Sequence, residues 1–312
     1  MIKIGCNYLL DDNGTNKYDN VYKYLIKNNF LQVLKYPGKV CNVQTLNYCI
    51  NLAKERNIKI DLHGLPLMQP RTHGYNITKN IKWYELPDDL KSYIYKNRIS
   101  THIAADNGKD IFSKECHDNY IENIKSLKQK FKEKYKIDLK VGGENQSGGY
   151  KLPLREISPD TISKMWCEMD FGVFDISHAK LDSIDLNMSY NEYLDKLQYI
   201  NKVKILHISG ENDLTGKFIN NPDKHVLIHE SEIEDIQKTI NIFNNIDLID
   251  TEIAYNTVYS LEKELVIEVL TLNLLINKLD KNEIIENMKY LKNNLNEDLS
   301  NIDEALINIK LK

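Results

Sequence analysis

Eight short apolar runs recur along the chain, and between them lie longer stretches with helical spacing of apolar residues. The runs are 2–6, 30–34, 58–62, 98–104, 139–143, the stretch opening at Phe171, 203–208 and 246–250. Helical patterning falls at 17–29, 43–57, 114–135, 158–168, 190–199 and 231–244. In the second of these, Leu46, Cys49, Ile50 and Ala53 mark one face. Strands that alternate with helices predict parallel pairing through crossover connections, and eight such units predict a closed (β/α)8 TIM barrel. The barrel is expected over about 1–258, with extra C-terminal helices over about 259–312 docked on it as part of a single domain, 1–312.

The polar residues that end these runs carry the chemistry. Phe171-Gly172-Val173-Phe174-Asp175-Ile176-Ser177-His178 reads as a strand that finishes by presenting a carboxylate and an imidazole three residues apart. His63, His102, Glu144, His207 and Glu252 close other strands, and the loop after strand seven adds Asp223 and His225. In a barrel of this kind, groups at the carboxyl ends of the strands face one mouth. So many ionisable side chains in one cavity cannot remain charged and unpaired, because desolvation and mutual repulsion oppose it. Divalent cations resolve the conflict, since carboxylates and neutral imidazoles are their ligands. Nine ligands exceed what one ion needs, so two or three ions are expected, and Glu144 can bridge two of them with its two oxygens. Glu144 and Glu252 are also the acid/base candidates, while Asn145, His73 and His229 are candidate substrate contacts.

Composition narrows the partners. A formal net charge of -4 provides no general footprint for nucleic acid. Five cysteines form an odd set without a C-x-x-C pair, which fits a reducing compartment and predicts a cytoplasmic protein. No apolar run approaches a membrane span of about 20 residues. Gly142-Gly143 and Gly148-Gly149 flank Glu144 without opening a helix, so a phosphate-cradling loop is not indicated.

The ordered set His63, His102, Glu144, Asp175-x-x-His178, His207, Asp223-x-His225, Glu252 resembles the xylose isomerase-like TIM-barrel superfamily, and within it the trinuclear ligand series of endonuclease IV. The resemblance covers about residues 1–270. It implies that Glu144 bridges an ion held by His63 and His102 to one held by Asp175, His207 and Glu252, with His178, Asp223 and His225 on a third. The flanking stretches Glu144-Asn145-Gln146-Ser147, Tyr193-Leu194-Asp195-Lys196-Leu197 and Ile205-Leu206-His207-Ile208-Ser209-Gly210 are similar to the family containing the iron oxidase of methanobactin biosynthesis. That likeness implies iron and O2 acting on a ribosomal peptide, with a small partner protein. It departs from that family in ending strand six Asp-Ile-Ser-His.

Three activities follow as expectations. The first is an iron-dependent peptide oxidase. The second is a zinc- or manganese-dependent phosphodiesterase at abasic DNA, served by the basic and aromatic segment 64–84, and the only one to involve nucleic acid. The third is a sugar isomerase or epimerase in which a metal polarises a hydroxy-carbonyl and a carboxylate moves the proton.

Overall fold

The computed structural model describes residues 2–10, 14–37, 43–64, 86–102, 114–145, 157–211, 226–252 and 261–276, with Asn282 and Glu286. Eight parallel strands pair in sequence order and close on themselves. They are β1 (Lys3–Asn7), β2 (Val33–Pro37), β3 (Lys59–His63), β4 (Ile94–His102), β5 (Lys140–Glu144), β6 (Phe171–Asp175), β7 (Val203–Ile208) and β8 (Leu248–Thr251). The expected (β/α)8 barrel is what the chain forms.

Around the barrel stand α1 (Asp19–Lys27), α2 (Val43–Arg56), α3 (Lys114–Tyr135), α4 (Pro159–Glu168), α5 (Ile176–Asp185), α6 (Tyr190–Lys196), α7 (Ile233–Ile242) and α8 (Leu261–Leu275). Their starts are written locally. Ser158 caps α4 ahead of Pro159, and Ser189 with Glu192 forms a reciprocal capping box on α6. No described helix is long and apolar enough to cross a membrane.

Two apolar cores hold the barrel. The larger lies between strands and helices, where Trp166, Phe174 and Phe243 stack with ring centroids 4.7–6.3 Å apart. There Trp166 Nε1 also donates to the Gly143 carbonyl at 3.1 Å, pinning α4 against the end of β5. The smaller core, Val33, Tyr95, Phe171, Val173, Ile205 and Leu248, is contributed entirely by barrel strands. Because side chains alternate across a strand, the residues two and four places beyond these apolar positions point to the same interior, higher up. That alternation carries Lys35 above Val33, Asp175 above Val173, His207 above Ile205, and Asp250 then Glu252 above Leu248.

Several boundaries differ from the sequence expectation, and three of them bear on the site. Strand two occupies 33–37 rather than 30–34. Asn29 takes a left-handed φ of 59°, Phe30 and Leu31 bury in the turn, and pairing with β1 starts at Gly5 opposite Val33. Strand six stops at Asp175, whose carboxylate caps α5 by accepting from the His178 N–H at 2.8 Å, so His178 stands in a first helical turn and not at a strand end. The helix α8 contacts β1, β8 and α1, which makes it the barrel's own eighth helix and extends the barrel past 258.

Candidate metal centre

At the carboxyl mouth the described candidate ligands converge. Three groups of ligand atoms each lie within 4.8 Å of one another: His63–Glu144–His207, Glu144–Asp175–His178, and Asp175–His207–Glu252. Glu144, Asp175 and His207 each belong to two groups, so the groups form one connected cluster. Glu252, at 12% side-chain exposure, is the member nearest solvent, and the others are almost fully buried.

The second layer orients the imidazoles. His63 Nδ1 lies 2.8 Å from Ser100 Oγ, which itself reaches the Leu62 carbonyl at 3.4 Å. With Nδ1 as the donor nitrogen, Nε2 carries the lone pair, and it faces Glu144 Oε2 at 3.3 Å. His178 Nδ1 donates to the Asn145 carbonyl at 2.9 Å, which makes Nε2 its lone-pair nitrogen as well. A backbone or hydroxyl partner on one ring nitrogen is the usual way a ligand imidazole has its tautomer fixed. His207 differs. Its Nδ1 faces Glu144 Oε1 at 2.9 Å and Glu252 Oε1 at 3.4 Å, and its Nε2 lies 2.9 Å from Lys35 Nζ. Burial lowers the pKa of this ring, but Glu144, working against Lys35, and Glu252 push it up to about 9.

Asp175 supplies the observation that tests whether a cation fits. Its Oδ1 is used by the α5 cap, and its Oδ2 is buried with no hydrogen-bond partner among the described residues. A carboxylate oxygen in that state is costly unless a cation reaches it. The donor set of imidazoles and carboxylates, with fixed tautomers and an orphaned oxygen, suits divalent metal.

Beside the candidate ligands stands a charged set that the sequence reading did not single out. Lys35 has 0% exposure and bonds Glu252 Oε1 as well as His207. Burial opposes its charge, yet Glu252, Asp250 and Glu144 together raise its pKa above the usual lysine value. Asp61 and Asp250, both fully buried, flank it along β3 and β8. Asp250 occupies the space a side chain at Gly5 would need, since a Cβ there would overlap its Oδ1. Burial, followed by Asp61, lifts Asp250 to about 8. The available signal was the alternation of charged with apolar residues inside β2, β3 and β8, which an outward-facing reading of strands would not notice.

The remaining expected residues divide as follows. His102 ends β4 opposite Glu144, though its side chain lies outside the described residues. His73, Asp223 and His225 lie outside them altogether. Asn145, expected to touch substrate, spends its amide on the neighbouring strand. Its Oδ1 accepts from Asp175 N at 2.7 Å, and its Nδ2 donates to Asp175 O at 2.9 Å. It therefore positions Asp175 and, through its own carbonyl, His178. His229 Nδ1 pairs with Ser231 Oγ at 2.8 Å, and its backbone N–H donates to Glu232 at 2.9 Å. Among the described contacts none joins it to the ligand cluster.

Comparison with known proteins supports the architecture. No protein-family model and no curated protein matches the chain. Solved structures do. A D-tagatose 3-epimerase-like protein superposes with a TM-score of 0.56 at 16% identity, over 88% of this chain and 97% of that one. A 3-keto-D-glucoside 4-epimerase from E. coli gives 0.50 at 11%, over 89% and 100%. A fusion of a xylose isomerase-like TIM barrel with 4-hydroxyphenylpyruvate dioxygenase gives 0.53 at 10%, over 89% of this chain and 44% of the fusion. At such identities the likeness establishes the fold.

Proposed function

We propose that the chain is a divalent-metal enzyme whose centre holds more than one ion, joined through Glu144. The observation that carries this reading is the membership of Glu144 in two ligand groups, one with His63 and His207 and one with Asp175 and His178. Ions held there would polarise a substrate oxygen and lower the pKa of a coordinated water or hydroxyl. Glu144, fully buried and central, serves as a ligand. Glu252, nearest solvent and hydrogen-bonded by Lys35, is the side chain suited to take and return a substrate proton.

The reaction we favour is proton transfer next to a carbonyl, on a small hydroxy-ketone of the sugar class. Two of the structural neighbours carry epimerase names, which agrees with this reading. The test is solvent-deuterium exchange into a panel of ketoses by the manganese-loaded full chain. Exchange into at least one ketose, lost in Glu252→Gln, is expected. No exchange into any of them would overturn the assignment.

A second reading keeps the peptide oxidase. Three imidazoles and a shared carboxylate suit iron as well as they suit zinc or manganese. The motif Glu144-Asn145-Gln146-Ser147 supports it from the sequence. Its substrate would be a small cysteine-bearing peptide, presented with or without a small partner protein. O2 uptake by the iron-loaded chain in the presence of such a peptide would favour it over epimerisation. Cleavage of an abasic oligonucleotide by the zinc-loaded chain would favour the phosphodiesterase, whose segment 64–84 lies largely outside the described residues.

A further inference from the structure

Lys35 touches two members of the Asp175–His207–Glu252 group, whereas among the described contacts it touches only His207 of the other two groups. Lys35 rises from β2 inside the barrel, buried on every side, and its Nζ lies 2.9 Å from His207 Nε2 while hydrogen-bonding Glu252 Oε1. Those are two of the three side chains of that group. Asp61 stands in register with Lys35, and Asp250 with His207, and all four side chains are fully buried. By contrast, the His63 and His178 ends of the cluster are buttressed by a serine hydroxyl and a backbone carbonyl, which are neutral.

We infer that Lys35 is a built-in occupant of the Glu252 end of the centre, so that the chain retains tightly bound ions only around Glu144, Asp175, His178 and His63. This inference rests on the metal reading above and adds to it a division of labour. A divalent ion bound by His207 Nδ1 and Glu252 would compete with the lysine ammonium for Glu252 Oε1, with that ammonium also seated on the far nitrogen of the His207 ring. In a buried site that repulsion is poorly screened. Such an ion is held weakly or not at all.

The test uses the full chain, stripped of metal and titrated with Mn(II) alone, with calorimetry for affinity and elemental analysis after desalting for the count retained. Lys35→Met is expected to retain one ion more per chain than the wild type, or to bind its weakest ion roughly tenfold more tightly, within the range by which neighbours of ligands tune affinity. Should Lys35→Met fail to fold, Glu252→Gln in the wild-type background decides. Its amide oxygen still accepts from Lys35, and the retained count is expected to stay at the wild-type value, whereas Glu144→Gln lowers it. Equal counts and affinities in wild type and Lys35→Met overturn the inference while leaving the metal reading intact. Loss of a tightly held ion in Glu252→Gln does the same. Absence of retained Mn(II) in both wild type and Lys35→Met removes the metal reading, and the inference with it.

Discussion

At the amino mouth of the barrel Asp247 receives two hydrogen bonds from Arg98, at 2.7 and 2.9 Å, and one from Lys96 at 2.6 Å. Burial would raise its pKa, but these cations hold it below the ordinary carboxylate range. The Arg98 guanidinium also lies 5.2 Å from the Phe171 ring, so the charge is seated on the apolar interior core. At the carboxyl mouth the balance is reversed. Glu144, Glu252, Asp61 and Asp250 surround the one buried lysine, Lys35, and Asp175 Oδ2 has no hydrogen-bond donor among the described residues. At the amino mouth the charges are satisfied by their own side-chain partners, whereas at the carboxyl mouth a buried carboxylate oxygen lacks one among the described residues. On the metal reading proposed above, added cations supply what is lacking, as fits the mouth where barrels of this kind place their functional groups.

The comparison can be broken most severely at Glu144. Glu144→Gln removes the carboxylate shared by two ligand groups, and at least one retained metal ion per chain should be lost, read by elemental analysis of desalted protein. Asn145→Ala removes the clamp on the Asp175 backbone, and metal affinity should fall roughly 10- to 100-fold by calorimetric titration, as for other residues that orient ligands. At the opposite mouth, Asp247→Asn leaves Arg98 buried with a weakened partner. Denaturant unfolding should show a loss of roughly 2 kcal/mol, with metal content unchanged. A change in metal content there would erase the distinction between the two ends.

The smallest effect is a pH trend in the metal-free chain. Asp250 and Glu268 are each raised to about 8, first by burial, with Asp61 adding to the rise for Asp250 and the Ile228 N–H partly offsetting it for Glu268. Between the ordinary carboxyl pKa and about 8 the folded state holds protons that the unfolded state has released, so stability falls as pH rises through that window. Thermal midpoints of metal-free protein should therefore decline from pH 5 to pH 8, by roughly 5 °C. Metal loading should flatten the decline, because cations replace protons as the counter-charge.

The sequence disclosed the barrel because each strand was an apolar run followed by helical spacing. His63, Glu144, His207 and Glu252 were legible as the polar residues that ended those runs. Asp175 was legible too, but its role was not. With no loop between β6 and α5, the sequence alone extends the strand three residues past Asp175, and His178 belongs to the helix that begins there. Lys35 was hidden by the shift of strand two. Phe30 and Leu31 are buried and β-like in composition, yet they pack in the turn, and only the pairing of Val33 with Gly5 reveals that Lys35 faces inward. Register is a long-range property, set by neighbouring strands, so local composition could not supply it. Asn145 was recognised by its motif but given a substrate contact, where both polar atoms of its amide are used by Asp175.

Anomalous diffraction at the metal edge, on crystals of the full chain grown with Mn(II), tests the central claim most directly. The account predicts more than one peak at the carboxyl mouth, with Glu144 oxygens ligating two ions and with Asp175 and His178 on one of them. A single ion, or ions that leave Glu144 outside their coordination shells, would contradict it.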